Sequence, residues 1–208
     1  MKQLALLLIM VLSFTINAQT QYEKGMQKAL TFWQEGKSTE ALNLFERISK
    51  AEPENWLPAY YAAYITIVNG FAIKDVAQLK SEMDKAKLLL DEAKSRSQNN
   101  PEIMILDALW HTVWVAYDGQ KYGMLYAGKV SQLYEDTLKL APDNPNVLLS
   151  KARWDIGGAK FFGNDTSVFC KDIEKAIELS EKFTHNLDFY PKFDKQAALQ
   201  LLKENCSK

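Results

Sequence analysis

Chemistry in a chain of this size would start from its histidines, its cysteines and any glycine-rich turn, and these are few. His111 lies in the apolar stretch Leu109-Trp110-His111-Thr112-Val113-Trp114, where packing is the expected role. His185 has no acidic or thiol neighbour at a spacing useful for proton transfer or nucleophile activation. Gly158-Ala159-Lys160-Phe161-Phe162-Gly163 has the glycine spacing of a phosphate loop. Asn164-Asp165 stand where Lys and Ser/Thr would meet phosphate and Mg²⁺, however, and no strand precedes it, so it reads as a turn. HExxH, GxSxG, CxxC and EF-hand patterns are absent. No catalytic residue, metal site or cofactor is expected, and the chain is read as a non-enzyme. The sequons Asn164-Asp165-Thr166 and Asn205-Cys206-Ser207 matter only in a eukaryotic secretory pathway.

Cys170 and Cys206 are the only cysteines, and their meaning depends on the compartment. Lys2 is followed by an apolar run from Leu4 to Leu12 and then by Ser13-Phe14-Thr15-Ile16-Asn17-Ala18-Gln19, the order of a cleavable export signal. The run is about half of the ~20 residues a membrane span needs. Residues 1–18 are therefore expected to be removed, leaving a mature chain from Gln19 that is periplasmic or secreted, with no membrane span. In an oxidising compartment a Cys170–Cys206 disulfide is one reading and two buried thiols the other. If formed, the bridge closes a loop of about 36 residues, for roughly 3–4 kcal/mol in the chain-entropy model.

The 208 residues carry 25 Lys plus Arg against 26 Asp plus Glu, with 47% hydrophobic residues. That balance excludes disorder and gives no basic surface for tracking phosphates, so nucleic acid is not an expected partner. Loss of Lys2 would leave 24 basic and 26 acidic residues, a mature net charge of −2.

Whatever the chain binds must be held by helices, because apolar positions recur at three and four residues nearly everywhere after Gln21. Asp75 to Arg96 is the clearest case, with Val76, Leu79, Met83, Ala86, Leu90 and Ala93 on one stripe. Asn55, Asn100 and Asn144 each precede a fresh apolar helix as N-caps, two of them followed by Pro at the first helical position. Gly36, Asn69-Gly70, Asp118-Gly119 and Gly157-Gly158 are expected as the turns within successive helix pairs. Asp194 should cap a last helix whose Ala197, Ala198, Leu201 and Leu202 share a face.

From Tyr22 the chain resembles the tetratricopeptide repeat: Ala29 takes the small position, Phe32 the aromatic one, Gly36 the turn, Ala41 and Phe45 the second-helix pair, and Pro53 the stop. Further units at Trp56, Pro101 and Pro145 put an alanine seven residues in each time, giving Ala29, Ala63, Ala108 and Ala152. The family's Trp and Leu are replaced by Gly25 and Lys28, and only the first unit has regular length. The resemblance also extends to secreted bacterial members whose last unit carries a Phe-Gly loop, here Phe161 to Asp165. It implies an all-α, right-handed helix-hairpin solenoid of about four units, starting near 22, 56, 101 and 145, in one domain spanning 19–208 and capped by 186–208.

In such solenoids the first helix of each unit lines the concave face. The resemblance thus implies a binding lining of Met26, Leu30, Trp33, Tyr60, Tyr64, Ile105, Leu109, Leu149 and Arg153. An apolar, aromatic groove with one cation suits a protein or peptide segment, with Tyr60, Tyr64 and Trp33 as anchors and Arg153 for a carboxylate. The alternatives are a homo-oligomer whose groove is self-filled, and a small-ligand carrier or enzyme with a pocket near Arg153 and Asp155.

Overall fold

The computed structural model describes residues 21–206, so the expected export segment lies outside the described residues. The chain there runs α1 (21–34), α2 (Ser38–Ala51), α3 (Trp56–Gly70), α4 (Val76–Arg96), α5 (Pro101–Tyr117), α6 (Gly119–Leu140), α7 (Pro145–Phe161), a 3₁₀ turn (Ser167–Phe169), α8 (Cys170–Ser180) and α9 (Lys195–Cys206). No strand occurs among the described residues, and the protein is all-α.

Capping side chains set the helix starts. The Asn55 side-chain oxygen accepts from Leu57 N (3.0 Å), that of Asn100 from Glu102 N (3.0 Å) and that of Asn144 from Asn146 N (2.9 Å). Each satisfies an amide that the first helical turn leaves without an internal partner. Asp75, Asp118 and Asp194 do the same for α4, α6 and α9.

Packing follows the small residues. Ala29, Ala63, Ala108 and Ala152 are all buried, as expected where helices cross closely and a bulkier neighbour fills the groove. The α4 stripe is buried at Leu79, Met83, Ala86, Leu90 and Ala93, whereas Val76, in its first turn, is exposed. A large core joins α1 to α5, a smaller one joins α5, α6 and α7 around Ala108, Val130 and Tyr134, and a third joins α7, α8 and α9 around Ile156, Ile173 and Ala198.

The expected turns need correction at two of four places. Gly36, at φ 75°, is a turn. Asp118-Gly119 marks the junction of α5 and α6, whereas Asn69-Gly70 ends α3 and Gly157-Gly158 lies inside α7. Helix continues through Gly157-Gly158 because Ala152, Ile156 and Ala159 bury a stripe there, and tertiary burial outweighs the ~1 kcal/mol per glycine of poor helix propensity. The chain turns later, at Phe162-Gly163, where Gly163 has φ 70°.

A disulfide joins Cys170, the first residue of α8, to Cys206, the last of α9, with Cα atoms 5.8 Å apart. It fastens the two C-terminal helices at one end, while residues 181–194 connect them at the other.

Candidate functional site

Two concavities meet on the inner face of the fold. The first is a slot of about 1060 Å³ between α5, α6 and α7. Ile105, Leu109, Thr112 and Ala116 form its α5 wall; Gly119, Gly123 and Ala127, four residues apart, form its α6 wall; Arg153, Trp154, Gly157 and Gly158 form its α7 wall. The spacing puts the small α6 residues on a single helix face. A side-chain carbon built on Gly123, Gly157 or Gly158 would meet nothing within 4 Å, so these glycines leave room that ordinary side chains would occupy. Gly119 is closer to its surroundings, with the Phe161 ring 3.2 Å from such a carbon.

The mouth of the slot is aromatic and apolar. Phe71, Met124, Phe161 and Phe162 line it while remaining 42%, 92%, 65% and 74% exposed. Exposed apolar side chains rimming a cavity are a mark of ligand or partner contact. Arg153 is the one basic side chain in the lining. Among the described residues it enters no ion pair or hydrogen bond, whereas Asp155 is tied to Lys151 (Nζ–Oδ2 2.5 Å) and lines neither concavity. The Arg153 charge reaches the slot hydroxyls: burial raises the pKa of Tyr64 and Tyr134, and Arg153 offsets part of the rise.

The second concavity is a wider groove of about 1780 Å³ across α1, α3, α5 and α7, bounded on its other side by residues 180–195. Leu30, Trp33, Tyr60, Tyr61, Tyr64, Ile105 and Leu149 supply its apolar surface. Glu102, almost wholly buried in the first turn of α5, lies at its floor. Glu102 Oε1 accepts from Asn144 Nδ2 (2.9 Å), Asn146 Nδ2 (3.2 Å) and Tyr190 Oη (3.0 Å). Burial raises the Glu102 pKa, and these three donors oppose the rise. The positive end of the α5 dipole also favours a carboxylate at this position.

Of the residues named from the repeat resemblance, Tyr60, Tyr64, Ile105 and Arg153 border both concavities; Leu30, Trp33 and Leu149 border the groove, and Leu109 the slot. Met26 borders neither: it is fully buried in the large core, one helical turn from Ala29. The α6 and α7 glycines, Trp154 and the Phe161-Phe162 rim were not anticipated as lining. Their signal was present in the Gly119/Gly123 spacing, but glycine in a helix-rich sequence reads first as a turn.

Among the described residues no group of three or more His, Cys, Asp or Glu side chains is placed to hold a metal ion. No helix among them is long and apolar enough to cross a membrane. His111 sits away from both concavities, buried between Trp110 and Tyr126, with its pKa lowered to about 4, first by burial and then by the Lys129 charge.

The fold defines an all-helical protein with two adjoining concavities. Neither a family model nor a curated protein matches the sequence. Among solved structures, the fold is similar to that of the HusA haemophore from Porphyromonas gingivalis, with a TM-score of 0.75 and 22% identity, covering 88% of this chain and 92% of that one. The likeness is one of fold.

Proposed function

We propose that this chain is an exported, non-enzymatic, tetratricopeptide-like carrier, whose α5–α6–α7 slot takes a flat, mostly apolar small molecule bearing a carboxylate, the chemical class to which haem belongs. The observation that carries this reading is the slot itself: glycine on two facing helices, an aromatic rim, and Arg153 without an ion-pair partner among the described residues. Glycine-lined walls leave room for a planar ligand, aromatic side chains add stacking surface, and a guanidinium matches a carboxylate. The fold shared with a haemophore supports the same choice. The bound molecule is cargo, and the residues at hand offer it shape, apolar surface and one charge.

Titration of the mature protein with hemin, followed by the Soret band and by tryptophan quenching from Trp154 in the slot wall, tests the proposal. Saturable binding is expected. Gly123→Trp should fill the slot and weaken binding about 100-fold or more, equivalent to about 2.7 kcal/mol. Arg153→Ala should cost about tenfold, the loss of one charged contact. Parallel titration with iron-free protoporphyrin shows whether iron contributes. Absence of saturable binding, or wild-type affinity in Gly123→Trp, overturns the assignment.

A second reading, recognition of an extended protein segment on the concave face, is favoured by one observation in the wider groove: residues of the chain's own α8–α9 connection already lie there.

A further inference from the structure

We propose that the seat of residues 189–191 on the inner face, at the edge of the wide groove, is an exchange site for a tyrosine-proline turn of a partner protein, and that the strap of residues 181–194 is its built-in occupant. The proposal builds on the second reading above and does not depend on the slot carrying a small molecule.

The connection does not take the short route between α8 and α9 over the surface. It reaches inward and touches the first helix of every hairpin. The Phe189 ring meets the Tyr22 ring of α1 edge to face (5.8 Å between centroids), and the Phe189 carbonyl accepts from Tyr61 Oη of α3 (2.8 Å). Tyr190 packs against Trp56 of α3 (6.2 Å) and donates its hydroxyl to Glu102 Oε1 of α5 (3.0 Å). The Pro191 carbonyl accepts from Asn146 Nδ2 of α7 (3.1 Å).

This is the pattern of a recognised peptide. Two main-chain carbonyls, at Phe189 and Pro191, are read by scaffold side chains, and the side chain between them enters a pocket and meets a buried carboxylate. Main-chain bonds of this kind supply affinity without sequence dependence, and the pocketed residue supplies specificity. A competing segment would therefore present an aromatic hydroxyl next to a proline at the end of a turn, as Tyr190 closes the Leu187–Tyr190 turn here (N–O 3.2 Å).

Three features make the segment releasable. It contains no helix over 183–194. Phe189 is held at φ 62°, a left-handed conformation that a bulky side chain seldom adopts. The Cys170–Cys206 disulfide fastens α8 to α9 independently, so the cap need not detach when the strap lifts. Tethering at both ends gives the strap a high effective concentration, so an outside peptide meets strong competition until a latch bond is lost.

The experiment uses the oxidised mature protein, as wild type, Tyr190→Phe and Tyr61→Phe, each substitution deleting one latch hydroxyl while keeping its ring. Hydrogen exchange of amides in 183–194 should accelerate about tenfold or more in each variant, the effect of removing a bond to a buried partner, with α8 and α9 unchanged. A fluorescent synthetic peptide with the sequence of residues 183–194 should bind Tyr190→Phe about tenfold or more tighter than wild type, whereas on Tyr61→Phe, where strap and peptide lose the same bond, its apparent affinity should stay near the wild-type value. On the Tyr61→Phe protein, a peptide with Phe in place of Tyr190 should bind more weakly than the native one. Unchanged strap exchange, a loosened strap that still admits no peptide, or loss of α8 and α9 protection together with the strap would each overturn the proposal. Should Tyr190→Phe fail to fold, Phe189→Ala, which removes the strap's ring contact with Tyr22 and leaves the scaffold intact, carries both readouts.

Discussion

The slot and the groove share a floor of Tyr60, Tyr64, Ile105 and Arg153, yet the chain treats them in opposite ways. The groove is lined by bulky aromatics and is walled on one side by the chain's own Phe189 and Tyr190. The slot is walled by Gly123, Gly157 and Gly158, and nothing from the α8–α9 connection enters it. An apolar inner surface can thus be core, self-filled recognition surface or ligand cavity within one molecule. What distinguishes them is whether side-chain volume is supplied to fill the space, and in the slot it is withheld.

The largest expected effect concerns the shared floor. Tyr60 is 4% exposed and packs on Trp56, Tyr61 and Tyr64 at ring separations of 5.4, 5.3 and 6.2 Å. Tyr60→Ala should cost ~3–5 kcal/mol of stability, as truncation of a buried aromatic does. Denaturant unfolding measures it. A loss under ~1 kcal/mol would show that the floor is a free recognition surface and that the two concavities behave as one open face.

Next comes the covalent tie between α8 and α9. Reducing Cys170–Cys206, or replacing both by Ser, should lower stability by roughly 3–4 kcal/mol in the chain-entropy model, with the first loss of amide protection in α8 and α9. The slot, whose walls are α5, α6 and α7, should keep its hemin affinity. Equal damage to both would mean that they are not separable units.

An intermediate effect lies behind the slot, where α5 turns His111 away from it. Both ring nitrogens of His111 and the Oδ1 of Asp107 are buried without hydrogen-bond partners, and His111 Nε2 stands 3.8 Å from Asp107 Oδ1. Its folded pKa of about 4 lies below the ordinary 6.5, so the neutral ring is the form the fold accepts. The unfolded chain takes up a proton as pH falls below 6.5 while the folded one does not, and stability is therefore lost between about pH 6.5 and 4. The loss should reach about 3.5 kcal/mol at most, since the drop from 6.5 to about 4 spans about 2.5 pKa units at ~1.4 kcal/mol each. His111→Leu should flatten this part of the pH profile, read as the wild-type minus variant difference because carboxylates titrate nearby. A parallel profile in the variant would remove His111 as the cause.

How much of this was legible depended on whether a residue acts locally. Helix starts were readable because an Asn cap bonds an amide two residues away, and Ala29, Ala63, Ala108 and Ala152 were readable because close crossings exclude larger side chains. Gly157-Gly158 misled because, seen locally, paired glycines in a loop and in a helix look the same; only the distant α6 wall shows why they are small. The strap was legible as a loop between Phe183 and Asp194, but its partners Tyr61, Glu102 and Asn146 lie far away in sequence. Met26 fell outside the lining for a similar reason, since a helix with apolar residues on several faces does not declare which of them meets the core.

The smallest effect separates glycine kept for space from glycine kept for nothing. Gly123 and Gly128 both lie within α6, and a side-chain carbon added at either would meet nothing within 4 Å. Each should therefore gain ~0.5–1 kcal/mol of stability on replacement by Ala, the usual cost of glycine in a helix. Gly128 is exposed and borders neither concavity, so Gly128→Ala should leave hemin affinity unchanged. Gly123→Ala places a methyl group in the slot and should lower affinity a few-fold despite the stability gain, the trade expected where function holds a residue against local propensity. Paired melting and titration of the two variants read both quantities at once. If both gain stability and neither loses affinity, the glycines of α6 are not there to admit a ligand, and the difference between an open slot and a filled groove loses its functional meaning.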